Sequence, residues 1–221
     1  MRPTVGQALK RALDIALTLA ILPVVVPLLL LVTLIALLGQ GRPLFYISSR
    51  YVAVGRSISI YKFRSMVLDA RSPKYRLQER FMRDGYLDIP IDCDVYTPFG
   101  RFLERSQIVE LPQILHVLFH GMSWVGNRAL PEANVRLLSQ FPGWEERFDS
   151  PCGLTGVSQV VGKMNLTPIQ RITLECLYSR VYKTGKLLQC DLFIILATVR
   201  LIVVDRCMSY EEAVALLKRC L

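Results

Sequence analysis

Histidine is nearly absent, and cysteine never clusters. The 221 residues hold two histidines, His116 and His120, and six cysteines at 93, 152, 176, 190, 207 and 220, no two within ten residues of each other. That spacing excludes a zinc finger or any other local cysteine–histidine metal site. No internal repeat, low-complexity tract or flexible linker is visible, which excludes a disordered scaffold. Acid is missing from one long stretch: between Gly39 and Arg64 there is none, against the bases Arg42, Arg50, Arg56, Lys62 and Arg64. With no export signal, the thiols are expected to be reduced, and Cys176 and Cys190 to be small core residues.

What is present is an unusual pairing. The chain carries a formal charge of +9, yet 52% of its residues are hydrophobic and its mean hydropathy is +0.36. Charge and apolarity together point to an anionic membrane surface or an anionic substrate. Nucleic acid is disfavoured, because the hydrophobic excess would then have no purpose. Much of that excess sits in 24 uncharged residues from Ile15 to Leu38. This is longer than the roughly 20 residues that cross a bilayer core as a helix. No small-x-small cleavage site follows it, so it reads as a retained element rather than a signal peptide. Arg2, Lys10 and Arg11 precede it and the five bases follow it, so the positive-inside bias draws both ends to the same side. Pro23 and Pro27 lie mid-run, where proline kinks a helix. A re-entrant hairpin and a single span both remain open on these residues.

Beyond the run, residues 43–48 and 57–63 predict a short β-hairpin turning near Gly55. Residues 67–88 predict a helix and a loop, and 90–100 a loop. Residues 101–119 have helical spacing that Pro112 must bend. Residues 130–144 open with Pro131-Glu132 and break at Pro142-Gly143; Trp144 and Phe148 would suit a membrane interface. Residues 149–163 read as a glycine-rich loop. A helix begins at Thr167-Pro168 and runs to about Tyr182. Residues 187–204 predict a core helix, with a buried strand as the alternative. Between Asp191 and Arg200 they hold only eight uncharged residues, too few to span. The Ser209–Glu212 capping box starts a final amphipathic helix.

Four places have chemistry to offer. Lys62 and Arg64, two apart at the end of a strand, would hold a diphosphate if both faced one side, and would otherwise be a solvated edge. Glu110 is a lone acid among apolar neighbours, suited to a metal or a catalytic role, or simply to a solvated helix face. Arg128 follows a Gly-Asn turn and suits phosphate. Gly153 to Gln159 could bring backbone amides to a nucleotide.

Their order carries more than any one of them. Lys10-Arg11-Ala12-Leu13-Asp14, the proline-kinked apolar run, Tyr61-Lys62-Phe63-Arg64-Ser65-Met66, Gly100-Arg101-Phe102-Leu103, Glu110-Leu111-Pro112-Gln113, Gly121 to Arg128, Gly153 to Lys163, Leu174-Glu175 through Tyr178, and Cys190-Asp191-Leu192 succeed one another. The series resembles the bacterial sugar transferase family, the monotopic polyprenyl-phosphate phosphoglycosyl transferases, over roughly residues 8–204.

The resemblance implies an α+β, predominantly helical fold. It would be a monotopic membrane protein with a re-entrant kinked N-terminal helix (1–42), a cytoplasmic transferase domain (43–205) and a C-terminal amphipathic helix (206–221). Pro27 is the better match to the family's kink. The short β-hairpin and amphipathic interfacial helices belong to the same expectation. The implied reaction moves a phospho-sugar from a nucleotide diphosphate sugar to undecaprenyl phosphate at the cytoplasmic face of the bacterial inner membrane, beginning exopolysaccharide or glycan assembly. Mg²⁺ is the implied cofactor. Nucleic acid is not a partner; other glycan-assembly proteins or a second copy of the chain are. In this reading Lys62, Arg64 and Arg128 neutralise phosphates. Glu110 binds the metal and is a candidate nucleophile, Gln159 contacts the nucleotide sugar, and Asp191 orients a basic partner.

Three departures stand out. The family places an aspartate nucleophile directly before the glutamate, and this chain has Val109. Glu104 takes the place of an arginine, and only Arg128 is kept of a Pro-Arg-Pro. Valine has no lone pair with which to attack phosphorus. Turnover by another route, through Glu110 or through direct attack by the lipid phosphate, is one expectation. A membrane-bound pseudoenzyme that binds ligand or scaffolds an assembly is the alternative, and an unrelated basic binding protein is the third.

Overall fold

Thr4 opens the first helix, its hydroxyl accepting from the Gln7 amide while the Gln7 side chain accepts from the Thr4 amide. The computed structural model describes residues 3–83, 85–162 and 165–221; Arg2 of the basic flank and Lys163 at the end of the glycine segment lie outside them. Helix α1 (Val5–Gln40) runs through Pro23 and Pro27 without interruption and ends at Gly41, whose φ of 65° suits a residue without a side chain. Its buried residues are Lys10, Asp14, Thr18, Val25, Val32 and Ala36. Steps of four and seven put them on one narrow stripe. That stripe lies on the rest of the protein at both ends. Near the start, Lys10 Nζ donates to Asp191 at 2.6 Å and Arg11 to the Met122 carbonyl at 3.0 Å. Near the end, Gln40 donates to the Arg64 carbonyl and accepts from the Thr97 hydroxyl. Leu19, Val24, Leu30, Leu31 and Leu34 on the other side are exposed.

The hairpin forms as expected. Strands β1 (Phe45–Ala53) and β2 (Arg56–Phe63) pair antiparallel, with Phe45 opposite Phe63, Tyr46 opposite Lys62 and Arg50 opposite Ile58. The charged stretch after it is more broken than the single helix expected. It contains α2 (Leu77–Phe81) and a tiny ladder of β3 (Met82–Arg83) with β4 (Tyr86–Leu87).

The expected bent helix of 101–119 is three pieces: α3 (Pro98–Arg105), a 3₁₀ segment (Ile108–Gln113) and α4 (Ile114–Phe119). Thr97 caps α3 ahead of Pro98. The main break falls at Gln107, held at φ 60°, five residues before Pro112. A residue in the left-handed region cannot continue a right-handed helix.

Ser123–Val125 (β5) and Gly153–Thr155 (β6) form a short parallel pair. Helix α5 (Glu132–Leu138) follows the first. Helix α6 (Val157–Val161) follows the second, inside the segment read as loop. The glycines there allow a close backbone approach within the protein. A Cβ on Gly126 would lie 2.2 Å from the Pro151 carbonyl oxygen, and one on Gly156 1.9 Å from that of Gly126. The backbones of the two segments meet each other. Gly126→Ala is therefore expected to cost about 1–3 kcal/mol as overpacking, read as a lower melting temperature; unchanged melting would contradict this account.

Trp144 and Phe148 lie partly exposed beside the core. They stack edge-on at 5.8 Å, and Trp144 packs against Leu138 and Ile172.

The main core joins α7 (Pro168–Thr184), α8 (Leu187–Val204) and α9 (Tyr210–Cys220), with Leu174, Tyr178, Ile194 and Leu217 at its centre. Helix α9 is thus part of this body. Residues 187–204 are helical rather than a strand. They bury Leu187, Cys190, Asp191 and Ile194 and expose Leu192, Leu196, Val199 and Ile202. Helix α8 is long and apolar enough to cross a membrane by length and composition, as is α1, although part of its face belongs to the core. The whole is predominantly helical, with three two-stranded sheets among the described residues.

Candidate active site

Two dipeptides fit against each other at the centre of the site. Along β2, Lys62 and Phe63 point to opposite faces. Val109 and Glu110 meet them in kind. Phe63 and Val109, 1% and 2% exposed, pack with Val32 of α1 and Leu103 of α3. That apolar contact seats the 3₁₀ segment, and Glu110 Oε1 receives the Lys62 ammonium. Arg128 Nη2 reaches the same oxygen at 3.2 Å. The Tyr51 amide bonds the Leu130 carbonyl at 2.9 Å, which ties the Arg128 segment to the hairpin.

Arg50 completes the group. Its partner across the ladder is Ile58, so it shares a face with Ile60 and Lys62. Arg50, Lys62 and Arg128 line one small pocket with Gln113, Gly153 and Leu154. Burial lowers the affinity of Arg50 for its proton, and Arg128 nearby lowers it further. Burial likewise lowers the Lys62 pKa, with Glu110 opposing. Three cations face one carboxylate, leaving an excess of two positive charges. Gln113 is buried, and its Nε2 has no hydrogen-bond partner among the described residues. A small cationic pocket with a spare amide donor has the chemistry to attract an oxygen-rich anion.

The structure unites Lys62, Glu110 and Arg128 and gives the other expected residues different surroundings. Arg64 lies just past β2, so the expected pairing of Lys62 and Arg64 on one face does not form. Its guanidinium donates to the carbonyls of Pro43 (2.7 Å), Gln40 (2.7 Å), Gly41 (3.1 Å) and Met66 (3.2 Å). It holds the end of α1, where helical carbonyls lack partners, rather than a phosphate.

Asp191 does hold a basic partner, but that partner is Lys10, at the opposite end of α1. It also accepts from the Tyr178 hydroxyl at 2.8 Å, and Asp14 beside it accepts from Ser123 at 2.6 Å. This buried cluster docks the helix and does not line the cationic pocket. Gln159 sits on α6, where its Oε1 accepts from Ser158, and it too is outside the pocket lining.

Behind Arg128 lies a polar core. Arg147 and Glu175, 1% and 0% exposed, pair at 2.6 Å, and Arg147 Nη2 donates to the Arg128 carbonyl at 2.8 Å. Burial opposes the Arg147 charge, and Glu175 more than restores it. Asn127 Nδ2 lies within hydrogen-bond reach of the Arg147 and Glu175 carbonyls and the Ser150 and Ser179 hydroxyls. Among the described residues no three His, Cys, Asp or Glu side chains gather to hold a metal.

The comparisons with known proteins agree with this geometry. The family model for bacterial sugar transferases matches residues 5–205. A UDP-glucose:undecaprenyl-phosphate glucose-1-phosphate transferase of Escherichia coli K12 is 33% identical over 80% of this chain and 35% of its own length. A protein of the same description from Klebsiella pneumoniae is 30% identical over 88% of this chain and 40% of its own length. The chain thus spans little more than a third of those two relatives. The exopolysaccharide production protein PSS of Rhizobium leguminosarum bv. phaseoli is 30% identical over 86% of this chain and 93% of its own length. With the match running nearly end to end through the helix, the hairpin and the cationic pocket, the chain belongs to the bacterial sugar transferase family.

Proposed function

We propose that this chain transfers a phospho-sugar from a nucleoside diphosphate sugar to undecaprenyl phosphate, as an early step of polysaccharide assembly. The observation that carries the reading is the pocket of Arg50, Lys62 and Arg128 around Glu110, whose excess charge matches a diphosphate. Relatives named as sugar-phosphate transferases favour catalysis over binding alone.

Phosphoryl transfer asks the protein mainly for position and charge. Arg50 and Arg128 would grip non-bridging oxygens, Lys62 would meet charge developing on the leaving phosphate, and Gln113 would donate to one more oxygen. Glu110 keeps Lys62 and Arg128 in register while the pocket is empty of substrate.

Mg²⁺ fits this site in one way. A single carboxylate among three cations is too weak a donor set for a resident ion, but Mg²⁺ is commonly held by one or two carboxylates plus substrate phosphates. Glu110 would be the protein's ligand to an ion arriving with the diphosphate. When bound, the ion would supply further neutralisation of the phosphates.

We further propose that α1 enters and leaves the bilayer on the cytoplasmic side of the inner membrane. Both ends of α1 bond to one body, and bases flank both ends, which favours the same side for each. The exposed apolar sides of α1 and α8 would face lipid.

The test uses purified protein in nanodiscs with undecaprenyl phosphate, Mg²⁺ and a panel of UDP-sugars. UMP release is expected with at least one sugar, and Glu110→Gln is expected to slow it by 10-fold or more. Absence of UMP with every sugar would refute the reading; an unchanged rate in Glu110→Gln would remove Glu110 from the mechanism.

A further inference from the structure

Where the resemblance leads one to expect an attacking aspartate this chain has Val109, and the structure gives that residue another task. Val109 is 2% exposed and packs with Val32, Phe63 and Leu103, on the side of the segment away from Lys62. No carboxylate is present at that position, and the adjacent Glu110 is engaged by cations. Among the described residues, those that line the cationic pocket include no hydroxyl, thiol or imidazole. Cys152 packs nearby against Ile60 and Ala129, but it is buried, and burial pushes its thiol up to about 12, so it remains protonated. His116 lies under the other face of β2, its Nε2 on the Ser59 carbonyl at 2.8 Å. Glu110 has one oxygen shared by Lys62 and Arg128. Two cations on a carboxylate draw off the electron density that nucleophilic attack requires.

We propose that this chain uses no covalent enzyme intermediate: both substrates occupy the site together, and the lipid phosphate itself attacks. The inference rests on the proposed transfer reaction. An oxygen of the polyprenyl phosphate forms a bond to the phosphorus bearing the sugar. The bond from that phosphorus to the bridging oxygen breaks, and UMP leaves with the electron pair. The products are the polyprenyl diphosphate sugar and UMP. The lipid phosphate dianion needs no base, so the lack of one in the pocket is no obstacle. Arg50 on β1 and Lys62 and Arg128 around Glu110 offset the charge of the diphosphate and so weaken its repulsion of the incoming lipid phosphate, the main electrostatic obstacle to direct attack.

The experiment compares wild-type protein in nanodiscs with and without undecaprenyl phosphate. With UDP-sugar alone, no UMP above background and no phospho-sugar mass on the intact protein are expected. With both substrates, initial rates should give intersecting double-reciprocal lines. A stoichiometric UMP burst without lipid, a phospho-sugar adduct mapped to Glu110 or any other residue, or parallel lines would overturn direct transfer while leaving the transferase reading intact. No UMP under any condition would overturn both.

Discussion

Lys62→Met is expected to lower turnover by about 10²–10³-fold, the usual cost of removing one preorganised charge donor from a phosphoryl or acyl transfer site. Lys62 is suited to so large an effect because its ammonium sits between Glu110 and the pocket and is largely removed from water. Methionine keeps the stem that packs beside Ile60 and deletes only the charge. A melting curve taken alongside separates lost charge from lost fold, and full turnover in the folded variant would exclude Lys62 from the site.

The same residue sets a pH dependence. Burial lowers its pKa below the ordinary 10.5. As pH rises through the lowered value the pocket loses a cation, so turnover should fall on the alkaline side before an ordinary lysine would titrate. Stability moves oppositely through this group. Between the lowered native value and the unfolded one, the unfolded chain binds more protons, so stability rises with pH there. Lys62→Arg retains the charge and should shift the alkaline decline to higher pH; an identical profile would assign the decline to another group.

Glu175→Gln is expected to be the most damaging change to the fold among those considered. It would leave Arg147 charged, buried and without its carboxylate partner, a situation that typically costs about 3–5 kcal/mol. For a chain of this length the melting temperature should drop by roughly 6–20 °C. Glu175→Leu combined with Arg147→Met should recover much of the loss, because apolar replacement of a whole buried pair is often neutral. Turnover in the double variant should still be impaired, since the Arg128 carbonyl loses the donor that holds it. A single variant as stable as wild type would show that the pair is not what holds this part of the core.

How much of this was legible beforehand follows from which interactions are local. The β-hairpin and the capped helices α7 and α9 are written in alternation, turn residues and capping boxes a few positions apart, and they form as read. Lys62, Glu110 and Arg128 were legible through motif order. Arg50 was not, because its side became known only when strand register set it opposite Ile58. A one-residue slip would have turned it away. Arg64 looked equivalent to Lys62 by spacing, but the strand ends at Phe63 and the carbonyls of Gln40 and Gly41 lie beside it. Gly156 pointed to close approach, but sequence does not say that the Gly126 carbonyl is what approaches. The packing of Trp144 beside Leu138 and Ile172 was not legible, because those contacts are set by the tertiary fold.

The bond from Lys10 to Asp191 joins residues 181 positions apart. At a synthesis rate of about 5–20 residues per second, roughly 10–35 seconds separate the two at the ribosome. Helix α1 therefore emerges well before α8 exists to receive it. Through that interval its apolar side must rest in lipid or on a chaperone, with Lys10 and Asp14 still hydrated. Of these two helices α1 is made first, yet its contact with α8 forms only after the later one has followed.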